Sequence, residues 1–180
     1  GDVGSGKTIV AVMALLTAVE AGCQALLMAP TEILAEQHLR TLRGLVEPLG
    51  VTVAWLSAGQ RVRERQAALE ALRSGAAAIG AGTHALIQEA VELQRLGLAV
   101  VDEQHRFGVL QRASLRGKGE HPHVLVMTAT PIPRTLALTL YGDLDVSVLD
   151  QLPPARTPIR TELRREPARD GIYDFVRNEL

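Results

Sequence analysis

Short apolar runs alternate with helix-like stretches along nearly the whole chain, and this alternation restricts the fold more than any single residue does. Strands joined through helices do not pair as tight hairpins; they line up in one direction, with the helices covering the faces of the sheet. The sequence therefore predicts an α/β domain with a mostly parallel sheet. Gln24 to Ala29, Val51 to Leu56, Ala76 to Ala81, Leu98 to Val101, His123 to Met127 and Val146 to Leu149 read as strands. Thr8 to Ala21, Thr31 to about Arg43, Arg61 to Arg73 and Arg134 to Leu140 read as helices. Gly22 suits the first of these as a C-cap, and Thr31 with Glu32 supplies an N-cap and an acidic first turn for the second. In the third, Ala67, Ala68, Leu69, Ala71 and Leu72 form the expected buried side.

A chain of 180 residues, 47% hydrophobic and 22% charged, has enough material for one real core, which argues against disorder. Its single cysteine, Cys23, excludes an internal disulfide, and no Cys/His cluster has metal-ligand spacing. The longest apolar run, Ile9 to Val19, is well short of the roughly 18 residues a membrane span needs. No basic leader precedes an apolar stretch, so a cytoplasmic setting is expected, and the opening on Gly1 reads as a beginning inside a longer chain. A net charge of -1 gives no global attraction to nucleic acid, although a local basic groove is compatible with it. The Pro-dense stretch Gln151-Leu152-Pro153-Pro154-Ala155 marks a boundary. The expected organisation is one compact domain over 1–150, a linker over 151–157 and the start of a second domain over 158–180, with strand-like Pro158 to Leu163 and helix-like Arg169 to Leu180.

Chemistry concentrates at three places. Gly1-Asp2-Val3-Gly4-Ser5-Gly6-Lys7-Thr8 fits a phosphate-binding loop, in which glycines let backbone N–H groups wrap phosphates at the start of a helix. Lys7 is then placed to meet the β and γ phosphates, and the Thr8 hydroxyl to meet Mg²⁺. Asp102-Glu103 follows an apolar strand and offers one carboxylate for hydrated Mg²⁺ and another to deprotonate an attacking water. Thr128-Ala129-Thr130-Pro131 ends the next apolar strand; its hydroxyls either sense the γ-phosphate or merely form a polar turn. Trp55 lies among apolar neighbours and reads as core, while His121 and His123 have no acid partner at useful spacing.

The Gly-Lys-Thr loop, Asp102-Glu103-Gln104-His105 and Thr128-Ala129-Thr130 together resemble superfamily 2 helicases. Three longer strings resemble the RecG family of branched-DNA helicases within them: Asp102 to Val109, Met127 to Thr135, and Leu152-Pro153-Pro154-Ala155-Arg156-Thr157-Pro158. The likeness covers essentially the whole chain. It implies a RecA-like P-loop NTPase domain, ATP and Mg²⁺ as cofactors, and ATP-driven remodelling of stalled forks and Holliday junctions. By this resemblance Lys7, Glu103 and Gln104 are catalytic, Gly1 to Thr8 with Asp102 bind the nucleotide, and Thr8 and Asp102 hold Mg²⁺. His105, Arg106, Phe107, Thr128, Thr130 and Arg134 couple nucleotide state to motion, while Pro30, Thr31, Glu32, Gly82, Thr83 and His84 face the DNA. Read without the resemblance, Thr31 is better taken as a helix cap and His84 as a solvated loop residue.

The partners so implied are branched or forked DNA, a wedge domain and a second motor domain in cis, and a single-stranded-DNA-binding protein, with no membrane. Two alternatives share much of this sequence logic: the motor of a transcription-repair coupling factor, and a nucleotide-binding module that switches a partner without turnover. A small-molecule kinase is disfavoured by the Asp-Glu-Gln-His and Thr-Ala-Thr strings. Without its second domain, the chain alone is expected to bind Mg-ATP weakly and hydrolyse it barely, if at all.

Overall fold

A computed structural model describes residues 1–88, 90–102, 115, 118–119, 122–130, 145–150, 161 and 169–179. Five strands, β1 (Gln24–Met28), β2 (Val53–Leu56), β3 (Ile79–Gly82), β4 (Leu96–Asp102) and β5 (His123–Met127), form one sheet in the order β2-β3-β1-β4-β5. Every neighbouring pair is parallel. Among the described residues the helices are α1 (Lys7–Glu20), α2 (Glu32–Val46), α3 (Val62–Arg73) and α4 (Arg169–Glu179). From β1 the chain runs through α2 to the edge strand β2, returns through α3 to β3, and then crosses to β4 on the far side of β1.

Strand side chains alternate between two apolar layers, as a sheet covered on both faces requires. Ala25 and Leu27 of β1 join Leu98 and Val100 of β4 with Ala11, Val12 and Leu15 of α1 and Leu42 and Val46 of α2. Leu26 and Met28 face the other way, into a layer with Ala99 and Val101, Leu72 of α3, and Ala85 and Leu86 of a short 3-10 turn. Trp55 is half-buried against the first layer.

One buried polar side chain ties the N-terminal ends of the strands together. Gln24 donates through Nε2 to the Leu72 carbonyl at 2.8 Å and the Ala77 carbonyl at 2.9 Å, and its Oε1 accepts from the Gln94 N–H at 2.7 Å. At the opposite edge, β3 approaches β2 so closely that a Cβ on Gly82 would stand 1.9 Å from the Leu56 carbonyl oxygen. Glycine is the residue that allows this approach.

The observed elements agree with the sequence expectations for β1, β2, β3, β4 and β5 within a few residues, and for α1, α2 and α3. Thr31 caps α2 by accepting from the Leu34 N–H, and Gly22, φ +72, follows the end of α1. Two expectations are corrected. Val146 to Leu149 is not a strand: residues 145–150 carry no ladder and are exposed, because a strand exists only where a sheet edge accepts its backbone groups. Leu149 packs at the phosphate loop instead, where a Cβ on Gly1 would meet its Cβ at 2.8 Å. Ala67 is exposed rather than buried, since only Leu72 of α3 is fully covered and Ala68, Leu69 and Ala71 pack partly. Helix Arg134 to Leu140 and the stretch 151–157 lie outside the described residues.

Candidate nucleotide site and nucleic-acid edge

Because all five strands run the same way, their C-terminal ends open onto one edge of the sheet, the place where open α/β folds bind ligands. The phosphate loop lies on this edge. The Gly1 nitrogen donates to the carbonyl of Thr128, the residue immediately after β5, at 3.3 Å. The loop's local shape follows from its glycines: Gly4 at φ +79 and Gly6 at φ +89 hold left-handed conformations that other residues resist. Between them the Ser5 N–H donates to the Asp2 carbonyl at 3.2 Å, closing a turn. Gly6 then caps α1, its carbonyl accepting from the Ile9 and Val10 N–H groups at 3.0 and 3.3 Å, and the positive end of the helix faces the loop.

Lys7 folds back over this loop. Its Nζ donates to the carbonyls of Gly1 and Asp2, each at 2.7 Å, which places the ammonium at the mouth where an anion would be received. The Ser5 hydroxyl oxygen is buried with no hydrogen-bond partner, an orphan polar atom inside the same loop. A buried polar group left unpaired is costly, and an incoming phosphate oxygen is the kind of partner that satisfies it.

Asp102 is the last residue of β4, registered against Met127 of β5, so its carboxylate emerges at the loop's edge of the sheet. One of its oxygens, Oδ2, accepts from His38 Nε2 of α2 at 2.7 Å, with the two side chains 13% and 14% exposed. His38 is a site residue that sequence reasoning missed. A signal was present: Ala35, Leu42 and Val46 form the buried stripe of α2, and a histidine at position 38 falls on that stripe. Thr8, in the first turn of α1, and Asp102 are hard oxygen donors, the set that Mg²⁺ takes alongside phosphates and water. No cluster of three or more His, Cys, Asp or Glu side chains forms among the described residues, and an ion held largely by phosphates and waters needs none.

Thr128 and Thr130 stand beside the loop with their hydroxyls 2.8 Å apart, and the Thr130 N–H donates to Thr128 Oγ1 at 3.2 Å. The segments expected to face nucleic acid follow β1 and β3 on the same edge. Thr31, Glu32 and His84 are exposed, and Pro30 is half-buried. Gly82 and Thr83 are buried, and Thr83 uses its side chain to cap the 3-10 turn at Ala85. Glu32 accepts from the Gly59 N–H at 3.0 Å, which pins the loop after β2 to the start of α2. Glu103, Gln104, His105, Arg106, Phe107 and Arg134 lie outside the described residues. Among the described residues no helix is long and apolar enough to cross a membrane.

Comparison with known proteins agrees with this geometry. Residues 1–139 match the DEAD/DEAH box helicase family. The chain is 56% identical to the ATP-dependent DNA helicase RecG of Haemophilus influenzae over 99% of its own length and 26% of that protein. It is 54% identical to RecG of Synechocystis over 100% of its length and 22% of the relative. It thus spans about a quarter of the curated relatives it matches. Among solved structures, RecG bound to a three-way DNA junction superposes with a TM-score of 0.83 at 44% identity, covering 99% of this chain and 24% of that one. The yeast splicing factor Prp28, at 20% identity and a TM-score of 0.60 over 77% of this chain and 37% of its own, shares the fold. With its parallel RecA-like sheet, its phosphate loop and a family match over most of its length, the chain belongs to the DEAD/DEAH box helicase family.

Proposed function

We propose that this chain is the nucleotide-binding motor half of an ATP-dependent DNA helicase of the RecG type, which remodels stalled forks and Holliday junctions in recombination and repair. The observation that carries this reading is the meeting, on one sheet edge, of the Gly1 to Thr8 loop, the Asp102 carboxylate and the Thr128 to Thr130 turn. Near-full coverage of the chain by RecG relatives at more than 50% identity supports the RecG assignment over a transcription-repair coupling motor. The proposed organisation is a first motor domain over 1–150, a linker over 151–157 and the start of a second motor domain over 158–180. The setting is the cytoplasm.

In the proposed mechanism, ATP phosphates displace the loop carbonyls from the Lys7 ammonium, and backbone N–H groups of the loop and of the first turn of α1 take the phosphate oxygens. Thr8 and Asp102 would hold Mg²⁺, whose charge would offset that of the phosphates. Glu103 accepts the proton of the attacking water as the water oxygen bonds to the γ-phosphorus and the bond to the β-phosphate oxygen breaks; Gln104 helps orient that water. Thr128 and Thr130, with His105, Arg106, Phe107 and Arg134, relay the change to the DNA side. There Pro30, Thr31, Glu32, Gly82, Thr83 and His84 line the track, with Thr31 and His84 offering side-chain donors and the rest shaping the backbone. A second motor domain closing over the nucleotide supplies an arginine finger, worth roughly 10³ to 10⁵ in rate in phosphoryl transfer. The wedge domain in cis recognises the fork, and a single-stranded-DNA-binding protein is a further partner.

The test is Glu103→Gln in the full-length protein. ATP binding should survive, while hydrolysis stimulated by three-way junction DNA should fall by about 100-fold or more, the usual range for losing a general base. A variant whose junction-dependent behaviour is unchanged would identify a nucleotide switch and overturn the motor reading.

A further inference from the structure

The contact between His38 and Asp102 joins two elements 64 residues apart in sequence, and nothing in the phosphate loop requires it. We infer that His38 is a positioning residue for the Asp102 carboxylate, an inference that rests on reading Asp102 as the Mg²⁺-side acid. The position on α2 is the first argument. Ala35, Leu42 and Val46 on the same stripe are at most 2% exposed, so an aliphatic residue would fit the pattern at 38. An imidazole among them is costly unless its polar atoms are bonded, and the bond it makes is to one oxygen of Asp102.

The geometry supplies the second argument. An aspartate at a strand end turns broadly about its last torsion. A short hydrogen bond from Nε2 to Oδ2 removes that freedom and leaves Oδ1 as the oxygen to be presented to a ligand. The third argument is the stiffness of the arm that carries His38. Its helix is fixed at its start by the Thr31 cap and by Glu32 on the Gly59 N–H, and further along by Leu42 and Val46 in the core. A carboxylate held from such a rigid element keeps its aim without help from the loop it faces.

The full-length protein tests this through equilibrium binding of a fluorescent, non-hydrolysable ATP analogue titrated with Mg²⁺. His38→Leu fills the stripe without a donor, and His38→Met does the same with a more adaptable chain, so that misfolding of one does not decide the outcome. His38→Gln restores an N–H donor. The expected result is that Leu and Met variants need about tenfold more Mg²⁺ for half-maximal binding, the scale of losing a partner behind a metal ligand. Binding without Mg²⁺ should be unchanged, and the Gln variant should stay within about twofold of the parent. Asp102→Asn separates the two levels of the claim. If Asp102→Asn shifts the Mg²⁺ midpoint while the Leu and Met variants do not, or if Gln is as impaired as they are, the positioning role is overturned. If Asp102→Asn itself leaves the midpoint in place, the reading of Asp102 fails, and the inference with it.

Discussion

The two halves of the proposed nucleotide site are built by opposite means. The phosphate half is contained in eight consecutive residues: its turn, its left-handed glycines and the Lys7 contacts all arise within Gly1 to Thr8. The carboxylate half is assembled at long range, with Asp102 delivered by a buried strand and gripped by a histidine of α2, 64 residues earlier in sequence. A local motif keeps its geometry when distant parts of the molecule loosen. A long-range one inherits every weakness of the sheet and helix that carry it.

Substitutions that strain the scaffold should therefore injure the carboxylate half first. The largest effect is expected from Gly82→Ala, because the added Cβ would collide with the Leu56 backbone where β2 and β3 meet. Denaturant unfolding should register a loss of about 3 kcal/mol or more, at the upper end for overpacking a close contact. Gln24→Leu comes next. It strands the Leu72 and Ala77 carbonyls and the Gln94 N–H, and should cost about 2–3 kcal/mol in the same measurement.

Thr31→Ala removes only the cap of α2, for about 1 kcal/mol. Its more informative readout is selective. Loosening the helix that carries His38 should weaken Mg²⁺-dependent nucleotide binding more than Mg²⁺-independent binding, and equal loss in both would blur the contrast between the halves.

The smallest effect belongs to the exposed pair Glu70 and Arg73, whose hydrogen bonds at 2.9 Å hold the Glu70 carboxyl below its ordinary value and the Arg73 guanidinium above its own. A depressed carboxylate stabilises the fold above the unfolded-state value and loses that contribution as pH falls through the lower, folded-state value. Acid titration of Glu70→Gln against the parent should therefore reveal a slight difference that fades on acidification, with neither half of the site altered.

What could be read from the sequence follows the same division. The alternation of apolar runs and helical stretches predicted the parallel sheet, and Gly22 and Thr31 sit at helix boundaries because their local chemistry decides those boundaries. The turn within Gly1 to Thr8 follows from its glycines for the same reason: its determinants are neighbours. Val146 to Leu149 looked like a strand because apolar composition signals burial, whereas strand formation also requires an edge to pair with. His38 was missed because its role depends on Asp102, and no local pattern announces a partner 64 positions away. The same holds for Glu32, whose carboxylate reads as a helix first-turn acid but also ties down Gly59.

Whether this chain folds into a competent half-site for Mg-ATP is decided by equilibrium titration with a fluorescent, non-hydrolysable ATP analogue beside Lys7→Ala, with folding of both followed by circular dichroism. The expected result is weak binding that Mg²⁺ strengthens and that falls by at least about tenfold in Lys7→Ala, a loss of roughly 1.4 kcal/mol or more, with no change in fold. Binding that is indifferent to both Mg²⁺ and Lys7 in two folded proteins would contradict it.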